Sequence, residues 1–155
     1  MKTLGGLYKG KGSFRNGASV MKNFLTSSGV SDDEIIIVDG SGLSRRNFIS
    51  PYSMAVLLRK MAHSSNFDTF YDSLPIAGVD GTLKRRMKGM RAEGNVRAKT
   101  GYVSNVRNLS GYVKDKKDRQ YIFSILVNNY TVPTSYVNDL QDNICNLIAE
   151  FDGEL

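Results

Sequence analysis

Apolar residues recur along this chain with two different periods, and the change from one to the other falls near Asn95. Upstream, Val20, Met21, Phe24 and Leu25 lie on one face of a helix expected from about Ala18 to Ser27, which Gly29 terminates. Gly5 to Gly17, rich in glycine and basic residues, reads as a surface loop before it. Glu34-Ile35-Ile36-Ile37-Val38 is a short β-branched run bounded by Asp and Gly, hence a buried strand or extended segment. Pro51 fits the first turn of a helix reaching about His63, with Met54, Leu57, Leu58 and Met61 on one side. A shorter helix around Phe67 to Ser73 stops before Pro75, and residues 75 to 95 form a loop with one helical turn at Leu83 to Met87.

Beyond Asn95 the pattern predicts three strands and a helix. The strands are Asn95 to Tyr102, Val106 to Lys114 and Arg119 to Asn128, the last two joined through Asp115-Lys116-Lys117-Asp118. Tyr121 to Val127 is apolar on both faces and is therefore expected at the centre of the sheet. Tyr136, Leu140, Ile144, Leu147, Ile148 and Phe151 recur at helical spacing, giving a C-terminal helix over one face of that sheet. The expectation is an α+β arrangement: a three-stranded antiparallel sheet covered by a C-terminal helix, with a helical N-terminal half.

Composition adds bounds. With 155 residues, 41% of them apolar, the chain can build one domain with a core, and residues 1 to 155 read as a single segment without repeats or linkers. No apolar run approaches a membrane span, and the N-terminus lacks a secretory cleavage pattern. One cysteine, Cys145, excludes an internal disulfide and a multi-cysteine metal site, and reads as a small buried residue. The lone His63 leaves no histidine-based metal cluster and fits a helix C-terminus. Neither a metal nor an organic cofactor is implied. The net charge of +6 favours any anionic surface without choosing among them. Lys84, Arg85, Arg86, Lys88, Arg91 and Arg97 form a basic segment, but without interleaved aromatics or a nucleic-acid-binding signature it reads as solvated charge, and no nucleic acid partner is expected.

Four motifs occur in order: Asp39-Gly40-Ser41-Gly42-Leu43-Ser44-Arg45, Leu74-Pro75-Ile76-Ala77-Gly78-Val79-Asp80-Gly81-Thr82-Leu83, Ala98-Lys99-Thr100-Gly101 and Asn108-Leu109-Ser110-Gly111-Tyr112-Val113. Together they resemble the C-terminal part of D-alanyl-D-alanine carboxypeptidases of the penicillin-binding protein 4 type, over about Leu4 to Pro133. The resemblance implies part of a serine β-lactamase/transpeptidase-like fold and a serine-type carboxypeptidase or endopeptidase that trims peptidoglycan stem peptides through an acyl-enzyme, extracytoplasmic and inhibited by β-lactams. It places the Ser-x-x-Lys nucleophile and the Ser-Asp-Asn element upstream of anything in this chain, so the chain by itself is expected to hydrolyse nothing. An adjoining N-terminal strand would also be upstream, which predicts an open apolar edge on the 119 to 128 strand and self-association or docking to the rest of the enzyme through it.

In that resemblance Lys99 is the catalytic cation, Thr100 a hydroxyl donor to the substrate carboxylate, Gly101 a bare strand surface along which a peptide can lie, and Tyr102 the donor of a backbone N–H to the oxyanion hole. Members often carry Thr or Ser where this chain has Tyr102. Asp39, Gly40, Ser41, Gly42 and Arg45 read as structural support: glycines for a strained turn, Asp39 and Ser41 capping backbone N–H groups, and Arg45 pairing with a carboxylate. Ser19-Val20-Met21-Lys22 matches Ser-x-x-Lys and Ser64-Ser65-Asn66 matches Ser-x-Asn. On the predicted helix, however, Ser19 and Lys22 point away from the apolar stripe, and a solvated lysine stays charged rather than taking a serine proton. The reading from another class is a non-catalytic binding module that retains the fold and its basic surface.

Overall fold

The structure, a computed structural model, describes residues 1–153 and divides into two compact units, Met1–Lys60 and Met61 onward. In the first, α1 (Lys2–Lys9) ends at Gly10, whose φ of +72° is the left-handed geometry that glycine adopts without strain. This helix replaces the loop expected over Gly5 to Gly17. Glycine weakens a helix by propensity, but here it permits packing: a Cβ on Gly17 would sit 2.2 Å from the Met1 carbonyl oxygen, and one on Gly5 2.9 Å from that of Ser13. The second helix, α2 (Phe14–Ser27), starts four residues before the expected Ala18 because the Ser13 hydroxyl accepts the Asn16 N–H at 3.1 Å. Its buried stripe excludes Phe24, which is 48% exposed, while Leu25 packs with Val30 and Ile35.

Only Ile35–Ile36 of the β-branched run forms a strand, β1. It pairs antiparallel with β2 (Phe48–Ile49), a strand too short for periodicity to reveal. The chain then enters α3 (Pro51–Ala62), where Ser50 Oγ accepts the Ser53 N–H at 2.9 Å. The Ser53 and Ser50 hydroxyls both donate to Glu34 Oε2, and these bonds hold the Glu34 carboxyl below its ordinary pKa.

The second unit holds α4 (Phe67–Asp72), the three long strands β3 (Arg97–Val103), β4 (Val106–Lys114) and β5 (Gln120–Asn128), and α5 (Thr134–Glu150). The strands form an antiparallel sheet in the order β3-β4-β5, so β4 is its centre and β5 an edge. The apolar Tyr121 to Val127 run, expected at the centre of the sheet, thus has a neighbour on one side only among the described residues, which agrees with the open edge expected of the same strand. Residues 109–113 of β4 are buried without a break, whereas among the described residues β5 pairs with β4 alone. Cys145 and Ala149 of α5 pack on one face of the sheet with Leu109, Val113 and Phe123. Tyr112, alternating to the other face, is wholly buried against the rings of Phe67, Phe70 and Tyr71.

The long connection between α4 and β3 carries one short 3-10 turn, Gly81–Leu83, and not the turn expected at Leu83 to Met87. It is pinned to α5 by Arg86, whose Nη2 lies 2.7 Å from Asp142 Oδ1 with both side chains largely buried. Asp142 also accepts the Met87 N–H. A basic residue predicted to be solvated is thus a structural tie.

Candidate active site

Strand β3 has two edges. Its inner edge pairs with β4 in the register Lys99↔Ser110, Thr100↔Leu109, Gly101↔Asn108 and Tyr102↔Arg107, set by the two-residue turn at Ser104-Asn105. On the outer edge the segment around Ile76 pairs only with the start of the strand: Ala77 N–H donates to the Val96 carbonyl at 2.9 Å, and Ala98 N–H to that of Pro75 at 3.1 Å. Backbone groups alternate between the two edges of an antiparallel strand. The alternation that turns Val96 and Ala98 outward turns the Thr100 carbonyl and the Tyr102 N–H outward too, beyond the point where the Ile76 segment has left.

Lys99 is exposed, and its Nζ donates to the Thr100 carbonyl oxygen at 2.6 Å, which lays the ammonium along that open edge. Thr100 Oγ1 donates to Thr82 Oγ1 at 3.0 Å. Thr82 was not singled out in the sequence, although it lies within the second of the four motifs. At Gly101 an added Cβ would come within 3.3 Å of the Asn108 Cβ, so the bare surface there is part of the packing between the strands. Tyr102 is 59% exposed and stacks under the Arg107 guanidinium, 3.9 Å from ring centroid to Arg107 Cζ. Sequence reading missed Arg107 and Asn108 as neighbours of this strand. The signal that could have found them is the two-residue turn, which sets every cross-strand pair once its position is known.

Asp39 to Arg45 belongs to the other unit. Asp39 Oδ1 accepts from Ser41 N–H, Ser41 Oγ and Asn47 Nδ2 at 3.0–3.1 Å, and Ser41 Oγ accepts the Leu43 N–H. The Asn47 amide above all holds the Asp39 carboxyl below its usual pKa. Gly42 has a φ of +73°, and a Cβ on Gly40 would meet the Met1 side chain at 2.6 Å. The Ser19 to Lys22 decoy resolves into an exposed serine and an ion pair between Lys22 and Asp32 at 2.8 Å.

In the basic segment, Arg91 Nε donates to the Ala149 carbonyl, and Arg97 pairs with Asp72 and covers the Tyr71 ring. With Arg86 also engaged, the exposed basic side chains of the segment are Lys84, Arg85, Lys88 and Arg91, the last of them held by its bond to Ala149. Burial pushes the Cys145 thiol up to about 12. Among the described residues no three His, Cys, Asp or Glu side chains cluster where they could hold a metal ion.

The model of the D-Ala-D-Ala carboxypeptidase 3 (S13) family matches residues 1–151. A D-alanyl-D-alanine carboxypeptidase of Actinomadura is 36% identical over 99% of this chain and 29% of its own length. The carboxypeptidase DacB of Haemophilus influenzae is 34% identical over 80% of this chain and 26% of its own length. Among solved structures, penicillin-binding protein 4 of Haemophilus influenzae, in complex with a β-lactam, superposes with a TM-score of 0.87 at 28% identity, over 97% of this chain and 37% of that one. An extended-spectrum β-lactamase superposes at 0.69 with 19% identity, a likeness of fold. This chain thus spans less than a third of the length of those two curated relatives.

Proposed function

Since the chain belongs to the D-Ala-D-Ala carboxypeptidase 3 (S13) family, we propose that it supplies the substrate-binding edge of a serine carboxypeptidase or endopeptidase acting on peptidoglycan stem peptides outside the cytoplasm. The observation that carries this reading is the open edge of β3, where the Thr100 carbonyl and Tyr102 N–H face outward beside the Lys99 ammonium. A peptide laid along that edge donates to the Thr100 carbonyl and accepts from Tyr102 as an added strand would. When a serine hydroxyl attacks the penultimate carbonyl, that carbon becomes tetrahedral and its oxygen anionic. Tyr102 N–H is then one donor to the oxyanion, and the fixed charge of Lys99 lowers the energy of the same state. Breaking the C–N bond releases the terminal D-alanine, and water then hydrolyses the acyl ester.

The serine and its proton-accepting lysine belong to the remainder of the enzyme. Removing the nucleophile removes the covalent route, so this chain alone binds weakly and turns nothing over. The same remainder docks along β5, where Tyr121, Ile122, Leu147, Ile148 and Phe151 line an open apolar groove.

The test is intact-protein mass after incubation with a reporter penicillin, with ¹⁵N spectra recorded during titration with a D-Ala-D-Ala peptide. The expected result is no adduct, with amide shifts centred on Thr100, Gly101 and Tyr102. A stoichiometric adduct on Ser19 would overturn the assignment and make the chain a self-sufficient acyl-serine enzyme. Absence of shifts along β3 favours a non-catalytic module.

A further inference from the structure

The positive charge of this chain is unevenly placed. Residues 1–60 carry nine basic and four acidic residues, so five of the six net charges lie in the first unit. Residues 1–31 hold Lys2, Lys9, Lys11, Arg15 and Lys22 and no aspartate or glutamate. Lys22 is taken by Asp32, just beyond that stretch. The other four are exposed, and among the described residues none of them is paired with a carboxylate.

Large apolar side chains stand among these cations. Leu7 is 76% exposed, Tyr8 70% and Phe14 55%. On a helix turning 100° per residue, Leu4, Leu7 and Tyr8 fall on one side of α1, and Lys2 and Lys9 on the other. The close approach to α2 is made through the buried Gly5, which leaves Leu7 and Tyr8 facing solvent. The turn between the helices is held in place: Ser13 Oγ accepts the Asn16 N–H, and Asn16 Nδ2 donates to the Lys11 carbonyl at 2.9 Å. Lys2 Nζ lies 5.0 Å from the centroid of the Phe14 ring, so cation and ring are side by side.

Charge alone would suit any polyanion. A soluble polyanion, however, offers Leu7 nothing to bury against. The boundary between lipid headgroups and acyl chains does, and aromatic rings and lysine stems settle there as well. We propose that the α1–α2 hairpin is a membrane-surface docking site for a leaflet rich in anionic phospholipid. Leu7, Tyr8 and Phe14 enter the headgroup boundary, while Lys2, Lys9, Lys11 and Arg15 meet lipid phosphates. Among the described residues no helix is long and apolar enough to cross a membrane, so the contact is with one leaflet and reversible. This goes beyond the reading of β3, which lies in the other unit, and does not depend on it.

The test is co-sedimentation of the whole chain with vesicles of phosphatidylglycerol and phosphatidylcholine in equal parts, against vesicles of phosphatidylcholine alone. Binding to the anionic vesicles is expected to be at least about tenfold tighter and to weaken as salt is added. K9Q combined with K11Q should weaken it by about twenty-fivefold, about fivefold for each cation at an anionic surface. L7S should weaken it by about tenfold, the scale of one leucine partly withdrawn from water. These three positions are exposed, so the variants keep the fold. The chain has no tryptophan, so Y8W places a single reporter on the hairpin. Its emission should shift to the blue on anionic vesicles and be quenched by lipids brominated along the acyl chain. Absence of binding, equal binding to both vesicles, or binding indifferent to L7S overturns the inference. Binding with unchanged Y8W emission also overturns it, by showing a contact with phosphate alone. Loss of binding in L147K but not in L7S would assign the membrane face to α5 and overturn it as well. None of these outcomes bears on peptide binding along β3.

Discussion

Single side chains in this molecule matter through what surrounds them. Asp115 is buried at the start of the turn between β4 and β5, and burial alone would push its carboxyl up. Donations from the Arg119 and Lys117 backbone N–H groups and from Arg119 Nε at 2.7 Å outweigh that, so its pKa lies below the ordinary value. A carboxyl with a depressed folded pKa contributes stability that is complete above its unfolded value, about 3.9, and is lost as pH falls through the folded one. Urea midpoints should therefore fall as pH drops below about 4. D115N should be less stable at neutral pH and show a shallower acid slope. Cys145 illustrates the opposite case, a nucleophile silenced by burial. It is 0% exposed with its thiol pushed up to about 12, so a thiol reagent at pH 8 should leave it unlabelled in the native protein and label it fully in denaturant. Rapid native labelling would show that α5 does not stay docked.

At the scale of elements, the sheet depends on one close approach. A Cβ at Gly111 would fall 2.1 Å from the Arg97 carbonyl oxygen and 2.6 Å from the Ala98 Cα, both backbone atoms of β3. G111A should force β3 from β4 and cost about 3 kcal/mol by chemical denaturation, the upper end of overpacking penalties. If it costs little, the strand pairing next to Lys99 is looser than the register implies. The loop before β3 depends instead on the tie between Arg86 and Asp142, which links it to α5. D142A leaves a largely buried guanidinium without its carboxylate and should destabilise by about 3 kcal/mol, measured the same way.

For the whole molecule the notable surface is the free side of β5 and the adjoining face of α5. Leu147 is 67% exposed there, and the groove it shares with Tyr121, Ile122, Ile148 and Phe151 is almost wholly apolar. An unpaired apolar strand edge attracts another strand. Sedimentation at tens of micromolar should detect self-association, and L147K should suppress it with less than about 0.5 kcal/mol change in stability, because an exposed leucine contributes little to the monomer. A monodisperse monomer, or association indifferent to L147K, would remove this face from consideration.

How much of this was legible beforehand follows from which interactions are local. The three long strands, α3, α4 and α5 were readable to within a few residues because period and punctuation are properties of neighbouring positions. The α+β class and the family followed from residues that stand in order along the chain. Helix α1 was hidden because the glycines that lower its propensity also permit its packing, a gain realised only against α2. Strand β2 was hidden because a two-residue strand has no period. Burial also sorted positions that sequence treats alike: Arg86 went to an ion pair in the interior and Lys84 to solvent. The sequence by itself determined the element types, the fold class and the family, since these are written in local pattern and ordered motifs. Only the tertiary structure decided which edge of β3 stays open and which arginine stacks on Tyr102, because strand register and cross-strand neighbours exist only once distant segments pair.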